Sequence, residues 1–361
     1  MSRIVAFRCI CDCLSWPPPE NLLQSASAEE FSWTELIALA HEYRVAPAVA
    51  AGLGEAGASD SLPKAAALYF ASIAAHYRQR NKQIRDQAIE VTKILNAIEV
   101  IPLFLKGGAH LLAGLYPDPG MREMSDLDIL VSAERLDDCV AALERNGITK
   151  ADDYIHPRAH HHQPLVHPDF PVPIELHHEV MAHPNNGFLT SEEMRETCST
   201  HTFGKARIAV PSPTHAATLA MAHAQLTNFD YIYGRIELRG LLDLALLAHV
   251  HGDALDWSGI CRRFEDYGKR TALGYQLMSG SDLVNVSVRP PSEISKISQL
   301  LYRRALYLVE KPELLSIGFR LLRPTVLLGR ELSDSGLRRR LVGNIADRAW
   351  WRRHLQMLMG R

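Results

Sequence analysis

The chain has 361 residues, 47% hydrophobic and 22% charged, which excludes an intrinsically disordered protein and allows one large domain or several smaller ones. A formal net charge of −2 gives no general attraction to polyanions, although a local basic patch fits inside a neutral total. Six cysteines are too few for a disulfide framework in a chain this long, and no segment reaches the roughly 18–20 uninterrupted apolar residues of a membrane span.

The opening run MSRIVAFRCICDCLSW is broken by Arg8 and Asp12, too short and too polar for a secretory signal, so a cytoplasmic protein with no membrane partner is expected. Cys9, Cys11 and Cys13 lack the two-residue gap of zinc knuckles and a nearby second ligand pair, so they read as reduced thiols on a short N-terminal element. Residues 1–99 read as helical: FSWTELIALAHEYRVAPAVAAGL has apolar residues at helical spacing with Ser32 as N-cap, a loop follows around Gly54–Ser61, and 62–99 continues the helical pattern.

The pattern changes at Val100. IPLFL suits a buried strand, two glycines follow, and AHLLAGLY suits a helix that opens just after Gly108. PDPGMREM is a turn-rich loop, and SDLDILV alternates like a strand with one buried face. SAERLDDCVAALERNG fits a helix with Ser132 at its N-cap and Asn146-Gly147 at its end. HHQPLVH and VPIELHH read as strands around the turn PDFP, and residues 190–210 carry SEEMRET, a strand-like RIAV and the punctuation PSP. From Pro213 the chain reads helical almost to its end, with no repeat or low-complexity tract. The order predicts an α+β fold, with a small mixed-sheet core at 100–212 between an N-terminal helical region (1–99) and a C-terminal one (213–361).

The chemistry concentrates in the core. Asp126 and Asp128 are two residues apart, so on a strand both carboxylates project from one face. Side-by-side carboxylates repel unless a cation sits between them, and oxygen ligation suits Mg²⁺, with Mn²⁺ as the alternative. A solvated strand face would present the same pair, and the context decides. A strand, Lys106-Gly107-Gly108 and a helix precede it, an arrangement that offers backbone N–H groups and a helix N-terminus to a phosphate. A two-cation phosphoryl-transfer site needs a third carboxylate. Glu175 fits, because it alternates with Ile174 and Leu176 and so shares a face with the aspartates if the strands are neighbours. Asp169 lies in a proline turn and Glu179 where the strand should end.

The run FLKGGAHLLAGLYPDPGMREMSDLDILV, with IELHH downstream, resembles an uncharacterised family of bacterial nucleotidyltransferases within the DNA polymerase beta-like superfamily. The resemblance extends from HEYRVAP to HAQLTNFDYIYGRIELRGLLDLALL, roughly residues 30–260. It implies Mg²⁺-dependent transfer of a nucleoside monophosphate from an NTP to a hydroxyl-type acceptor, a small molecule, peptide or natural-product intermediate. Gly107 and Gly108 would belong to the phosphate loop, Asp126 and Asp128 to the metal pair, and Glu175 would be the third acid. One departure stands out: Ala109 occupies the place where the superfamily often has serine, so backbone N–H groups must supply more of the phosphate binding. Lys106 and Arg122 are suitable cations for the triphosphate, or structural partners of acids, and Ser125 either bonds the loop or starts the strand.

Eight of the 17 histidines fall between His156 and His183. Imidazoles ligate zinc well, yet consecutive histidines on a strand point to opposite faces, so no three are expected to converge. His162, His167 and His177 are expected to line the sheet near Glu175. His223, Arg235, Arg239 and Asp243 either close a nucleotide cleft or pack structurally. The basic segment GLRRRLVGNIADRAWWRRHLQMLMGR is the one feature pointing to an RNA or protein acceptor, against the plainer reading of a solvated helix face. A nucleotide-binding regulator without turnover is the remaining alternative.

Overall fold

The computed structural model describes residues 3–22, 31–58, 61–151, 160–290 and 292–333 of the chain. Four helices come first: α1 (Arg3–Leu14), α2 (Trp33–Glu42), α3 (Ala46–Glu55) and the 33-residue α4 (Lys64–Asn96). Ser32 caps α2 as its sequence position suggests, its hydroxyl accepting from the Glu35 N–H at 3.2 Å. FSWTELIALAHEYRVAPAVAAGL is nevertheless two helices, because Arg44 takes a left-handed φ of 57° and breaks the run. Cys9, Cys11 and Cys13 are free thiols buried on α1.

The α/β core follows: β1 (Leu103–Phe104), α5 (Lys106–Ala113), β2 (Leu127–Leu130), α6 (Leu136–Arg145), β3 (Thr149–Lys150), β4 (Leu165–Val166), β5 (Ile174–His177), α7 (Ser191–Glu196), β6 (Ser199–Phe203) and β7 (Ala206–Val210). The strands form one mixed sheet in the order β3-β4-β5-β2-β1-β7-β6. β2 lies at the centre, antiparallel to β1 and parallel to β5. The helices α8 (Pro213–Ala222), α9 (Asp230–Tyr233), α10 (Leu238–His251), α11 (Trp257–Asp266), α12 (Arg270–Val284), α13 (Lys296–Val309) and α14 (Pro312–Ser333) complete the α+β architecture, with a π-helical segment at His223–Thr227 continuing α8. The N-terminal α1 packs against α10, α12 and α13, so helices from both ends of the chain share one hydrophobic core.

Four local expectations differ from the structure. α5 opens at Lys106, so the glycines lie inside its first turn. β2 is buried on both faces rather than one: Leu127 and Ile129 face one side, while Leu130 and the charged Asp128 are covered on the other. β6 escaped the pattern because STHTF has no buried apolar face. Ser132 precedes a 3-10 turn, Ala133–Arg135, and makes no side-chain cap, so α6 begins only at Leu136.

The loop 117–124 that leads into β2 is clamped onto α4. Arg78 pairs with Asp118 at 2.6 Å, Asn81 Nδ2 donates to the carbonyls of Pro119 (2.7 Å) and Arg122 (2.9 Å), and Arg80 donates to that of Met124 (2.9 Å). A Cβ on Gly120 would lie 2.7 Å from the Arg78 backbone nitrogen, so only glycine permits this approach. The loop thus enters β2 in a fixed register.

Candidate metal centre and active site

β2 and β5 are parallel neighbours with Asp128 directly opposite Glu175. In a sheet, residues in register project from the same face, so the two carboxylates meet there. His177, two residues on from Glu175, shares that face, and its Nε2 lies 2.8 Å from Asp128 Oδ1 and 3.7 Å from Glu175 Oε2. From the start of α5, Lys106 Nζ reaches the same Oδ1 at 2.9 Å. Asp128 and His177 are almost fully buried, whereas Glu175 stays partly open to solvent.

Asp126 precedes β2 instead of lying on it, half-buried, and accepts a hydrogen bond from the exposed Ser125 hydroxyl at 3.1 Å. The donor atoms that come together are those of Asp128, Glu175 and His177, all within 4.8 Å of one another. Asp126 stands beside this group and is felt through its charge. Burial and the neighbouring Asp128 push its carboxyl up from the ordinary value. For Asp128 burial also pushes upward, but Lys106 and the His177 hydrogen bond outweigh it and hold the carboxyl far below the usual range. Burial raises Glu175, as does the neighbouring Asp128, but His177, helped by His161 and Lys106, outweighs them and holds it low. Burial lowers His177, and Asp128 and Glu175 outweigh that and hold it high.

The first turn of α5 meets this cluster. Its N-cap is Leu105, which offers no side-chain acceptor to the orphan N–H groups of the helix start. Lys106 holds a left-handed φ of 50°, costly for a residue with a Cβ, and Gly107 and Gly108 are buried behind it. A Cβ on Gly108 would come within 2.8 Å of Leu127, and one on Gly107 within 3.0 Å of Met124. The glycines therefore let the helix start pack onto β2, a requirement independent of any phosphate.

Other expected residues lie elsewhere. Arg122 gives its guanidinium to Asp243 of α10, with contacts of 3.1–3.3 Å, and Tyr116 donates to the same carboxylate at 2.9 Å. Arg235 pairs with Asp230 and Arg239 with Glu237. Asp169 is exposed beside His167, and Glu179 accepts from Asn186. His162 bonds the Gln163 carbonyl through Nδ1, and His223 falls in the π-helical segment. His156 and the basic segment from Gly336 lie outside the described residues.

The histidine expectation needs correction. The rings of His160, His161 and His177 do converge, with centroids 4.8–5.4 Å apart. His160 sits in a turn and His161 in an isolated bridge to His177, so strict strand alternation does not govern them. His161 Nε2 lies 3.7 Å from Glu175 Oε2. The partnership of His161 with Glu175 had no signal in spacing, although the density of histidines marked the region.

A central strand bearing a buried aspartate, an in-register glutamate on its parallel neighbour and a helix start without a side-chain cap thus meet at one point of the sheet. The family model described as uncharacterised nucleotidyltransferase matches residues 29–283, and the chain belongs to that family. No curated protein and no solved structure matches it. Among the described residues, no helix is long and apolar enough to cross a membrane.

Proposed function

We propose that the protein transfers a nucleoside monophosphate from an NTP to a hydroxyl-type acceptor with the help of a divalent cation. The observation that carries this reading is the in-register pair Asp128–Glu175, joined by His177, at the uncapped start of α5. The donor set fits a cation: two carboxylates and an imidazole whose ligand atoms lie within 4.8 Å of one another would hold it, with Asp126 adding charge beside them. Such an ion supplies charge neutralisation for the phosphates and lowers the pKa of an oxygen bound to it.

The chain's own groups account for the remaining steps. Orphan N–H groups of the first turn of α5 bind phosphate oxygens, and Lys106 turns from Asp128 toward the triphosphate. The acceptor oxygen forms a bond to the α-phosphorus as the bond from that phosphorus to the bridging oxygen breaks, releasing pyrophosphate. The hydroxyl proton passes to Glu175, which is partly open to solvent and so can meet an acceptor.

Labelled NTP and purified protein, assayed with cell extract as the acceptor source, test this reading. Asp128→Asn is expected to lower label transfer at least about a thousandfold, some 4 kcal/mol of transition-state stabilisation, while circular dichroism shows the fold retained at the assay temperature. Transfer undiminished in that variant would sink the proposal. The gel position of the label, in RNA, in protein or in small molecules, reports the acceptor class.

A further inference from the structure

We infer that the cation held by Asp128, Glu175 and His177 is a first-row transition-metal dication such as Mn²⁺, selected over Mg²⁺ by the imidazole nitrogen of His177. This rests on the cation-assisted reading above and narrows it.

The geometry is that of a mixed nitrogen and oxygen set. The edge between neighbouring ligand atoms around an ion with bonds of about 2.0–2.2 Å is roughly 3–3.5 Å. His177 Nε2 already stands 2.8 Å from Asp128 Oδ1 and 3.7 Å from Glu175 Oε2, on either side of that range. Parallel pairing of β2 with β5 fixes both carboxylates and the imidazole on one face, so the nitrogen belongs to the site by register.

Two further features oppose Mg²⁺. That ion takes oxygen ligands and keeps several waters, because it dehydrates reluctantly. Here Asp128 and His177 are 4% and 3% exposed, which leaves little room for retained water on the protein side. Imidazole binds first-row transition-metal dications, least strongly Mn²⁺ and more strongly the ions after it, so a nitrogen in this position adds affinity for all of them and little for Mg²⁺.

His177 Nδ1 has no hydrogen-bond partner among the described residues, so no acceptor fixes which nitrogen keeps a proton, and Nε2 becomes a ligand by releasing its own proton to solvent. His161 donates from Nδ1 to the His162 carbonyl at 2.7 Å, and its Nε2 stands 3.7 Å from Glu175 Oε2, at the edge of the site. One Glu175 oxygen serves as ligand and the other remains for the acceptor's proton.

Pulsed electron paramagnetic resonance of the full-length protein loaded with Mn²⁺ tests this directly, alongside calorimetric titrations with Mn²⁺ and Mg²⁺. A nitrogen coupling is expected that changes isotope pattern when the protein carries ¹⁵N-histidine, a comparison needing no variant. Mn²⁺ is expected to bind at least about tenfold more tightly than Mg²⁺, and His177→Gln to remove the coupling and most of that preference. Bound Mn²⁺ without nitrogen coupling would overturn the inference and leave nucleotidyl transfer standing. Equal affinity for the two ions, or no binding of either, would overturn it too. Full label transfer by Asp128→Asn would instead remove the reading on which it rests.

Discussion

Two buried carboxylates, Asp128 and Asp243, sit in opposite situations. Asp243 is saturated: Tyr116 and Arg122 Nε meet Oδ1, Arg122 Nη2 meets Oδ2, and one guanidinium balances one carboxylate. Around Asp128 three acids face Lys106 and His177, and Lys106 Nζ and His177 Nε2 both crowd onto the single oxygen Oδ1. The difference separates a strut from a site. A closed pair ties loop 117–124 to α10, whereas the acid-rich cluster lies beside a helix start without a side-chain cap, where the proposed cation and phosphates would sit.

The largest effect on folding is therefore expected at the closed pair. Asp243→Asn leaves Arg122 as an uncompensated buried charge and is expected to cost about 3 kcal/mol in denaturant unfolding. Asp128→Asn removes a partner of His177 and Lys106, but it also relieves repulsion from Asp126 and Glu175, and Lys106, 28% exposed, can turn to water. A smaller loss, about 1–2 kcal/mol, is expected there. Equal losses at the two positions would erase the distinction. Replacing both partners, Arg122→Met with Asp243→Leu, is expected to recover about 2 kcal/mol relative to Asp243→Asn, since an apolar pair of similar volume needs no ionic partner.

Asp230 stands between the two extremes and supplies a pH-dependent test. Arg235 binds its Oδ1 at 2.8 Å, but Oδ2 is buried without a hydrogen-bond partner among the described residues. Burial, opposed by Arg235 and reinforced by Glu237, pushes its carboxyl up to about 7. The folded state thus binds a proton that the unfolded chain, with a carboxyl near 4, gives up. This contribution is fully present below about pH 4 and is lost as pH rises to about 7, falling by up to about 1 kcal/mol per pH unit. Unfolding curves of the wild type and Asp230→Asn across that window check it: the variant should lack this part of the slope, and parallel profiles would refute the assignment.

The sequence made legible whatever depends on local rules. Ser32 as a cap, the strand–helix–loop–strand order, and the likeness of face between Glu175 and Asp128 all follow from spacing and alternation. What it hid requires tertiary partners. Arg122 finds its acid 121 residues away, so its charge alone could not separate a phosphate ligand from a strut. The convergence of His160, His161 and His177 depends on a turn and an isolated bridge, where alternation gives no guidance. Gly107 and Gly108 suggested phosphate from their position, yet Leu127 and Met124 show a packing need that no spacing rule contains.

Lys106 sharpens the contrast on the smallest scale, because backbone and side chain pull in opposite directions there. Its left-handed φ of 50° favours glycine, while its Nζ is the cation on Asp128 Oδ1. Lys106→Ala and Lys106→Gly remove the same charge, but only glycine relieves the backbone. Glycine is thus expected to be the more stable of the two by about 1 kcal/mol, although it has the more flexible unfolded chain. If the strain is held for the sake of Nζ, both variants should lose label transfer to a similar degree despite that gap in stability. Transfer that instead followed stability, surviving in the glycine variant, would assign Lys106 to the fold and leave the triphosphate to the N–H groups of α5.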